Sequence, residues 1–142
     1  MSAGRAIEVL ARAEIESLHE FFVSWFTAAE ESPIEFSDCE RAFADDFVLV
    51  DTDGSRLDRS AVVERLEKAR GRTSHEFRIL ILDLRMVWLR DDTILVEYVE
   101  QQSRDGKITQ RRSAALLRTD RNAPRGMVWL FLQETWMKPF SP

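Results

Sequence analysis

Residues 43–60, FADDFVLVDTDGSRLDRS, carry five aspartates around one apolar strand and one glycine turn. Phe47, Leu49 and Asp51 fall on one side of an extended chain, because successive strand side chains point to opposite faces. A carboxylate on an otherwise apolar stripe is either paired or useful. Asp53-Gly54 reads as a two-residue hairpin turn, since a type I′ turn needs positive φ at both central residues. That turn sets Thr52 opposite Ser55 and Asp51 opposite Arg56, so Asp51 has an ordinary reading as half of a cross-strand ion pair. The run DRSAVVERLEKARG is a helix with Asp58 as N-cap, Leu66 and Ala69 among its inward residues and Gly71 as its stop. Asp45 and Asp46 sit where a helix turns into the strand and are expected to be exposed.

Toward the N-terminus, Ile15, Leu18, Phe22, Trp25 and Phe26 recur at steps of three and four with glutamates opposite, which predicts a long amphipathic helix from residue 6 to 31, stopped by Pro33. Ser37 with Glu40 forms a capping box for a short second helix through DCERAFA, and residues 46 to 52 form the strand. Beyond residue 76 the pattern is strand only: FRILILDLRMVWLR, TILVEYVEQQS, KITQRRSAALLRT and GMVWLFLQETWM, a meander of long strands. In the first of these, Leu80, Leu82, Leu84, Met86 and Trp88 share one face, and Ile79, Ile81, Val87 and Leu89 the other. Helices can cover only one apolar face, so the other is expected to be buried in a homodimer through the sheet. The Asp105-Gly106 turn fixes the register of the middle pair: Glu100 faces Arg111, Tyr98 faces Ser113 and Val96 faces Ala115, with Glu97 and Arg112 as diagonal neighbours on the opposite face. Each face then carries an ion pair, and one of them lies inside the fold.

The chain of 142 residues, 44% hydrophobic and 32% charged, has the size of a single domain spanning residues 1–142 and buries roughly two-thirds of its unfolded surface. A net charge of −5 argues against nucleic acid, which needs a concentrated basic face. Cys39, the one cysteine, excludes an internal disulfide and reads as a buried helix residue; a cytoplasmic location is expected, with no membrane partner. In DTDGS, glycine falls at the fourth position of a calcium loop and Val62 replaces its closing glutamate, so no metal is expected. No phosphate loop, GxSxG elbow or HExxH occurs, and no cofactor is expected.

The order helix, short helix, hairpin, helix and four meandering strands resembles the NTF2-like superfamily, and RAFADDFVLVDTDG resembles its junction between second helix and first strand. DGKITQRRSAALLRTD followed by VWLFLQET is similar to the sheet segment of the SnoaL-like and DUF4440-like branch. The resemblance implies an α+β, cystatin-like cone: three N-terminal helices packed on a strongly bent, mostly antiparallel sheet around an apolar pocket, commonly as a dimer. It puts the catalytic-base aspartate of the steroid isomerases of that superfamily on Asp51, the helical tyrosine donor on Phe22 and the protonated acid of the oxyanion hole near Ala115. Scytalone-dehydratase-like sites use a histidine pair, whereas His19 falls on a helix flank and His75 in a turn. In limonene-epoxide-hydrolase-like sites an arginine bridges two carboxylates; Arg111 and Glu134 supply two members, and Ser113 stands in place of the third.

The expected function is a small-molecule-binding domain lined by Phe22, Trp25, Phe26, Tyr98, Glu100, Arg111, Ser113 and Glu134. Its enzymatic form would be a cofactor-free lyase, isomerase or hydrolase with Asp51 as base. The alternative is a non-enzymatic homodimerisation module whose aromatic residues simply fill the core. Whether the chain is an enzyme stays open at this level.

Overall fold

A computed structural model describes residues 2–28 and 35–138. Helix α1 (Ala3–Phe26) starts where the Ser2 side chain accepts from Arg5 N–H and ends at the Thr27 cap, earlier than periodicity predicts; Pro33 lies outside the described residues. Helix α2 (Phe36–Arg41) is capped by Glu35 without a side-chain bond, so Ser37 lies inside it and forms no capping box. Strand β1 (Phe43–Val50) begins directly after α2, with Asp45 and Asp46 exposed. Strand β2 (Arg56–Asp58) leads into α3 (Arg59–Lys68), whose first turn is closed by the Asp58 carboxylate accepting from Ala61 N–H at 2.9 Å. The long strands are β3 (Arg78–Arg90), β4 (Thr93–Arg104), β5 (Lys107–Thr119) and β6 (Met127–Trp136).

One mixed sheet, in the order β2-β1-β6-β5-β4-β3, is antiparallel except where β1 runs parallel to β6. The β4–β5 register follows the Asp105-Gly106 turn along its whole length, with Tyr98 opposite Ser113 and Glu100 opposite Arg111. The first hairpin differs by one residue. Asp51 N–H donates to the Ser55 carbonyl, Gly54 N–H donates to the Asp51 carbonyl, and Gly54 has φ of +88°. This is a three-residue loop, a turn followed by one left-handed residue, and it puts Val50 opposite Arg56. Asp51 therefore has no cross-strand partner in Arg56.

Two irregularities decide which strand residues face inward. In β3 the register shifts between Leu82 and Arg85, where Asp83 has φ of +51°, and again between Met86 and Trp88. Ile81, Leu84 and Leu89 consequently pack under α1, while Leu80, Leu82 and Trp88 are exposed. The two faces read from simple alternation are thus reshuffled: Leu84 joins the inner set, and Val87 is exposed. In β6 the partner of Leu117 is Trp129 but the partner of Leu116 is Phe131, so Leu130 is an extra residue in the strand. Both Trp129, before the bulge, and Leu132 and Glu134, after it, point toward α1.

The core lies between α1 and the inner sheet face and is built on Ile15, Leu18, Phe47, Val96, Leu117 and Trp129. Burying each large apolar side chain contributes about 1.5–3 kcal/mol. Trp25 closes the far end by donating its indole N–H to the Leu66 carbonyl at 2.7 Å, which ties α1 to α3. Cys39 is buried in α2 as expected, and burial pushes its thiol up to about 12.

Candidate functional site

Between α1 and the sheet lies a cavity of about 150 Å³ whose walls are mostly apolar: Leu18, Phe22, Phe26, Phe47 and Leu132 among them. The α1 spacing supplies Leu18, His19, Phe22 and Phe26 on one helix face, one turn apart or less. Phe22 and Phe26 stack with an interplanar angle of 7°. Arg65 of α3 also lines the cavity and is about half exposed, which marks the mouth.

Besides Arg65 at the mouth, four ionisable side chains meet this apolar wall: His19, Glu100, Arg111 and Glu134. His19 is buried, not on the flank of its helix. Its Nδ1 donates to the Ile15 carbonyl at 2.7 Å and its Nε2 to Glu100 Oε1 at 3.0 Å. A carbonyl and a carboxylate only accept, so both ring nitrogens carry hydrogen and the ring is an imidazolium. Burial opposes that charge, but the Glu100 carboxylate and the Ile15 carbonyl outweigh it and raise the His19 pKa above its ordinary value. Burial would push Glu100 upward; the His19 charge and hydrogen bond, Arg111 and the Gln102 amide donating at 2.6 Å hold it down at about 2.

Arg111 directly faces Glu100 in the sheet, yet its salt bridge runs the other way, to Glu134 Oε2 at 3.7 Å. That is too long for a hydrogen bond. The expected Glu100–Arg111 ion pair is thus replaced by two pairs, His19–Glu100 and Arg111–Glu134, because the imidazolium reaches Glu100 from the helix. On the outer face, Glu97 and Arg112 form no salt bridge among the described residues. The Arg111 guanidinium lies 4.7 Å from the Trp136 ring centroid, and its buried Nε has no partner among the described residues. Glu134 is the outlier: burial and the neighbouring Glu100 charge raise it, Arg111 and His19 pull back, and the net is a carboxyl raised to about 7.

Phe22, Phe26, Glu100, Arg111 and Glu134 are thus brought together on the cavity wall. Three other expected lining residues are not. Trp25 is turned toward α3, with its ring against Phe36 and Arg70. Tyr98 and Ser113 are buried beneath the wall, and neither hydroxyl has a hydrogen-bond partner among the described residues. Asp51 is not on the wall either; Arg65 Nη1 donates to its carboxylate at 2.8 Å.

Sequence reasoning missed two buried polar residues of α1. His19 had a usable signal, since it stands four residues after Ile15 and three before Phe22 on the apolar stripe. Glu14, grouped with the exposed glutamates, is 0% exposed and accepts from Arg125 at 2.9 and 3.1 Å and from the Trp129 indole at 2.9 Å. Its partners come from a loop and a strand more than a hundred residues away, and no local pattern announces them.

No protein-family model and no curated protein matches the chain. Solved structures do. An NTF-2 like protein of unknown function from Pseudomonas aeruginosa is 26% identical with a TM-score of 0.81, over 90% of this chain and 98% of that one. The CaMKII hub of S. rosetta is similar at a TM-score of 0.69 and 10% identity, over 96% and 98% of the two chains. A candidate ketosteroid isomerase from Parabacteroides distasonis is similar at 0.61 and 9%, over 89% and 88%. At such low identity the last two likenesses concern the fold. With its helix-packed, six-stranded mixed sheet and these neighbours, the chain belongs to the NTF2-like superfamily.

Proposed function

We propose that the chain is a small-molecule-binding domain whose cavity performs acid–base chemistry, with Glu134 as the group that exchanges the proton. One observation carries the reading: a buried carboxyl on an apolar cavity wall, poised at about 7. A general acid or base is most effective when its pKa lies near the working pH, and such a group contributes roughly 10²–10⁴-fold in rate. Arg111, with its Nε unpaired, stands beside it to stabilise negative charge developing on a bound molecule. The His19–Glu100 pair holds the second carboxylate ionised, which keeps Glu134 raised. The reaction class is proton transfer without a cofactor, as in an isomerase or lyase. Asp51, engaged by Arg65, leaves the base role to Glu134. A place in the SnoaL-like branch and a cytoplasmic location belong to the same reading; among the described residues no helix is long and apolar enough to cross a membrane.

A thermal-shift screen of one- and two-ring compounds tests the cavity. A ligand present at a hundred times its Kd adds about 2.7 kcal/mol, which moves Tm by several degrees. Hits are expected with the wild type and not with Phe22→Trp, which fills the space. Hits that survive the filled variant, or no hits at all, would contradict a binding cavity.

Self-association is a second reading, favoured by the exposed Leu80 (53%), Leu82 (37%) and Trp88 (47%) on the outer sheet face. It is compatible with the first, because this face lies opposite the cavity. A homodimer covering about 800 Å² per partner is expected at micromolar concentration. Light scattering should give the dimer mass for the wild type and the monomer mass for Leu82→Arg. A monomeric wild type would exclude it.

A further inference from the structure

We infer that the cavity takes a one-ring organic anion, a small aromatic or alicyclic carboxylate whose head group is held by Arg111; this rests on the binding function proposed above and names its ligand class. Size sets the first limit. An engineered apolar cavity of about 150 Å³ holds benzene, and the cavity here is of that volume, so its occupant is one ring with a short head group. The stacked Phe22 and Phe26 rings and the Phe47 ring offer flat apolar surfaces to such a ring.

Charge sets the second limit. Arg111 is in the wall and makes no hydrogen bond among the described residues; its nearest carboxylate oxygen is 3.7 Å away. A guanidinium is always charged and presents donors in a fork that matches a carboxylate. His19 and Glu100 cancel each other within their own hydrogen-bonded pair. The cavity therefore keeps one cation without a hydrogen-bonded partner among the described residues, its charge offset by Glu134 only to the extent that Glu134 is ionised. A carboxylate on Arg111 would compete with ionised Glu134 but accept a hydrogen bond from its protonated form. The groups acting on Glu134 from the elements around it are His19 from α1, Glu100 from β4, Arg111 from β5 and Asp51 from the loop after β1, the last already held by Arg65 of α3. With Glu134 titrating at about 7, anion binding should bring a proton with it and weaken as pH rises.

The test compares three probes of one shape, benzoate, benzyl alcohol and benzylamine, by calorimetric titration of the full chain at pH 6 and pH 8. Benzoate is expected to bind at least tenfold tighter than benzyl alcohol at pH 6 and to lose about tenfold by pH 8, the change in the protonated fraction of a group near 7. Benzyl alcohol should show no such pH dependence. In Arg111→Gln the benzoate preference should vanish while benzyl alcohol still binds, which also shows that the variant folds; in Glu134→Gln the pH dependence of benzoate should vanish. Benzyl alcohol or benzylamine binding as well as or better than benzoate would overturn the anion class and leave the binding cavity standing. No binding of any probe would overturn both.

Discussion

Replacing Glu134 by glutamine is expected to stabilise the protein at pH 8 by about 3 kcal/mol, because the pKa is raised from 4.5 to about 7 and each unit is worth about 1.4 kcal/mol. The sign follows from proton linkage. A carboxyl with a folded pKa above its unfolded value binds more protons in the native state between pH 4.5 and 7. Its contribution to stability is thus present below 4.5, falls through that window and is lost above 7. Glutamine keeps the shape of the neutral acid and cannot ionise. His19, raised, contributes stability below its unfolded pKa that is lost as pH rises through its folded one, and Glu100 contributes stability above 4.5 that is lost as pH falls toward 2. Both groups are retained in the variant, so the difference between wild type and variant reports Glu134 together with its pull on His19, the least of the causes acting on that ring. Urea denaturation should show the two proteins close at pH 4.5 and far apart at pH 8, with Tm higher in the variant by roughly 6–12 °C. A variant less stable than wild type at pH 8 would mean that ionised Glu134 is favourable where it stands. A stabilising change at a group in a cavity is the expected signature of a site kept reactive at the expense of stability.

Arg125→Ala is expected to act in the opposite direction, with a loss of about 3 kcal/mol, the low end for leaving a buried charge without its partner. Glu14 has no exposure, and without Arg125 it keeps only the Trp129 indole as a donor. The fork of Arg125, 2.9 and 3.1 Å from the two carboxylate oxygens, holds the 120s loop to the middle of α1. The double variant Arg125→Leu/Glu14→Gln should recover most of the loss, since glutamine carries no charge and its side-chain oxygen still accepts from the Trp129 indole. Urea midpoints of the single and double variants decide it. Additive losses would show that the two residues do not depend on each other.

How much of this was legible depends on how local each signal is. The Asp105-Gly106 turn carries its own φ requirement, and it set every β4–β5 pair. Asp58 as N-cap and the α1 stripe are likewise written within a few residues. The first hairpin slipped because Asp53-Gly54 serves two turn geometries; the longer one puts only Gly54 in the left-handed region and frees Asp51 to meet Arg65 of α3. Simple alternation broke at Asp83 and Leu130, where one residue is inserted without any mark in the local pattern. The Leu130 bulge matters most for the site, since it brings Glu134 to the same face as Trp129. Glu100, Arg111 and Glu134, expected near one another from the strand pattern, do lie on one cavity wall; how they pair was not legible, because the deciding cation, His19, comes from a helix 81 residues away.

The most direct measurement is the titration of the Glu134 side-chain carboxyl carbon by NMR, assigned by comparison with Glu134→Gln. The midpoint should lie near 7 and move toward the ordinary range when Glu100 is replaced by glutamine, because the Glu100 charge is one of the two main causes of the rise. A midpoint near 4.5 in the wild type would contradict the assignment of Glu134 as the acid–base group of the cavity.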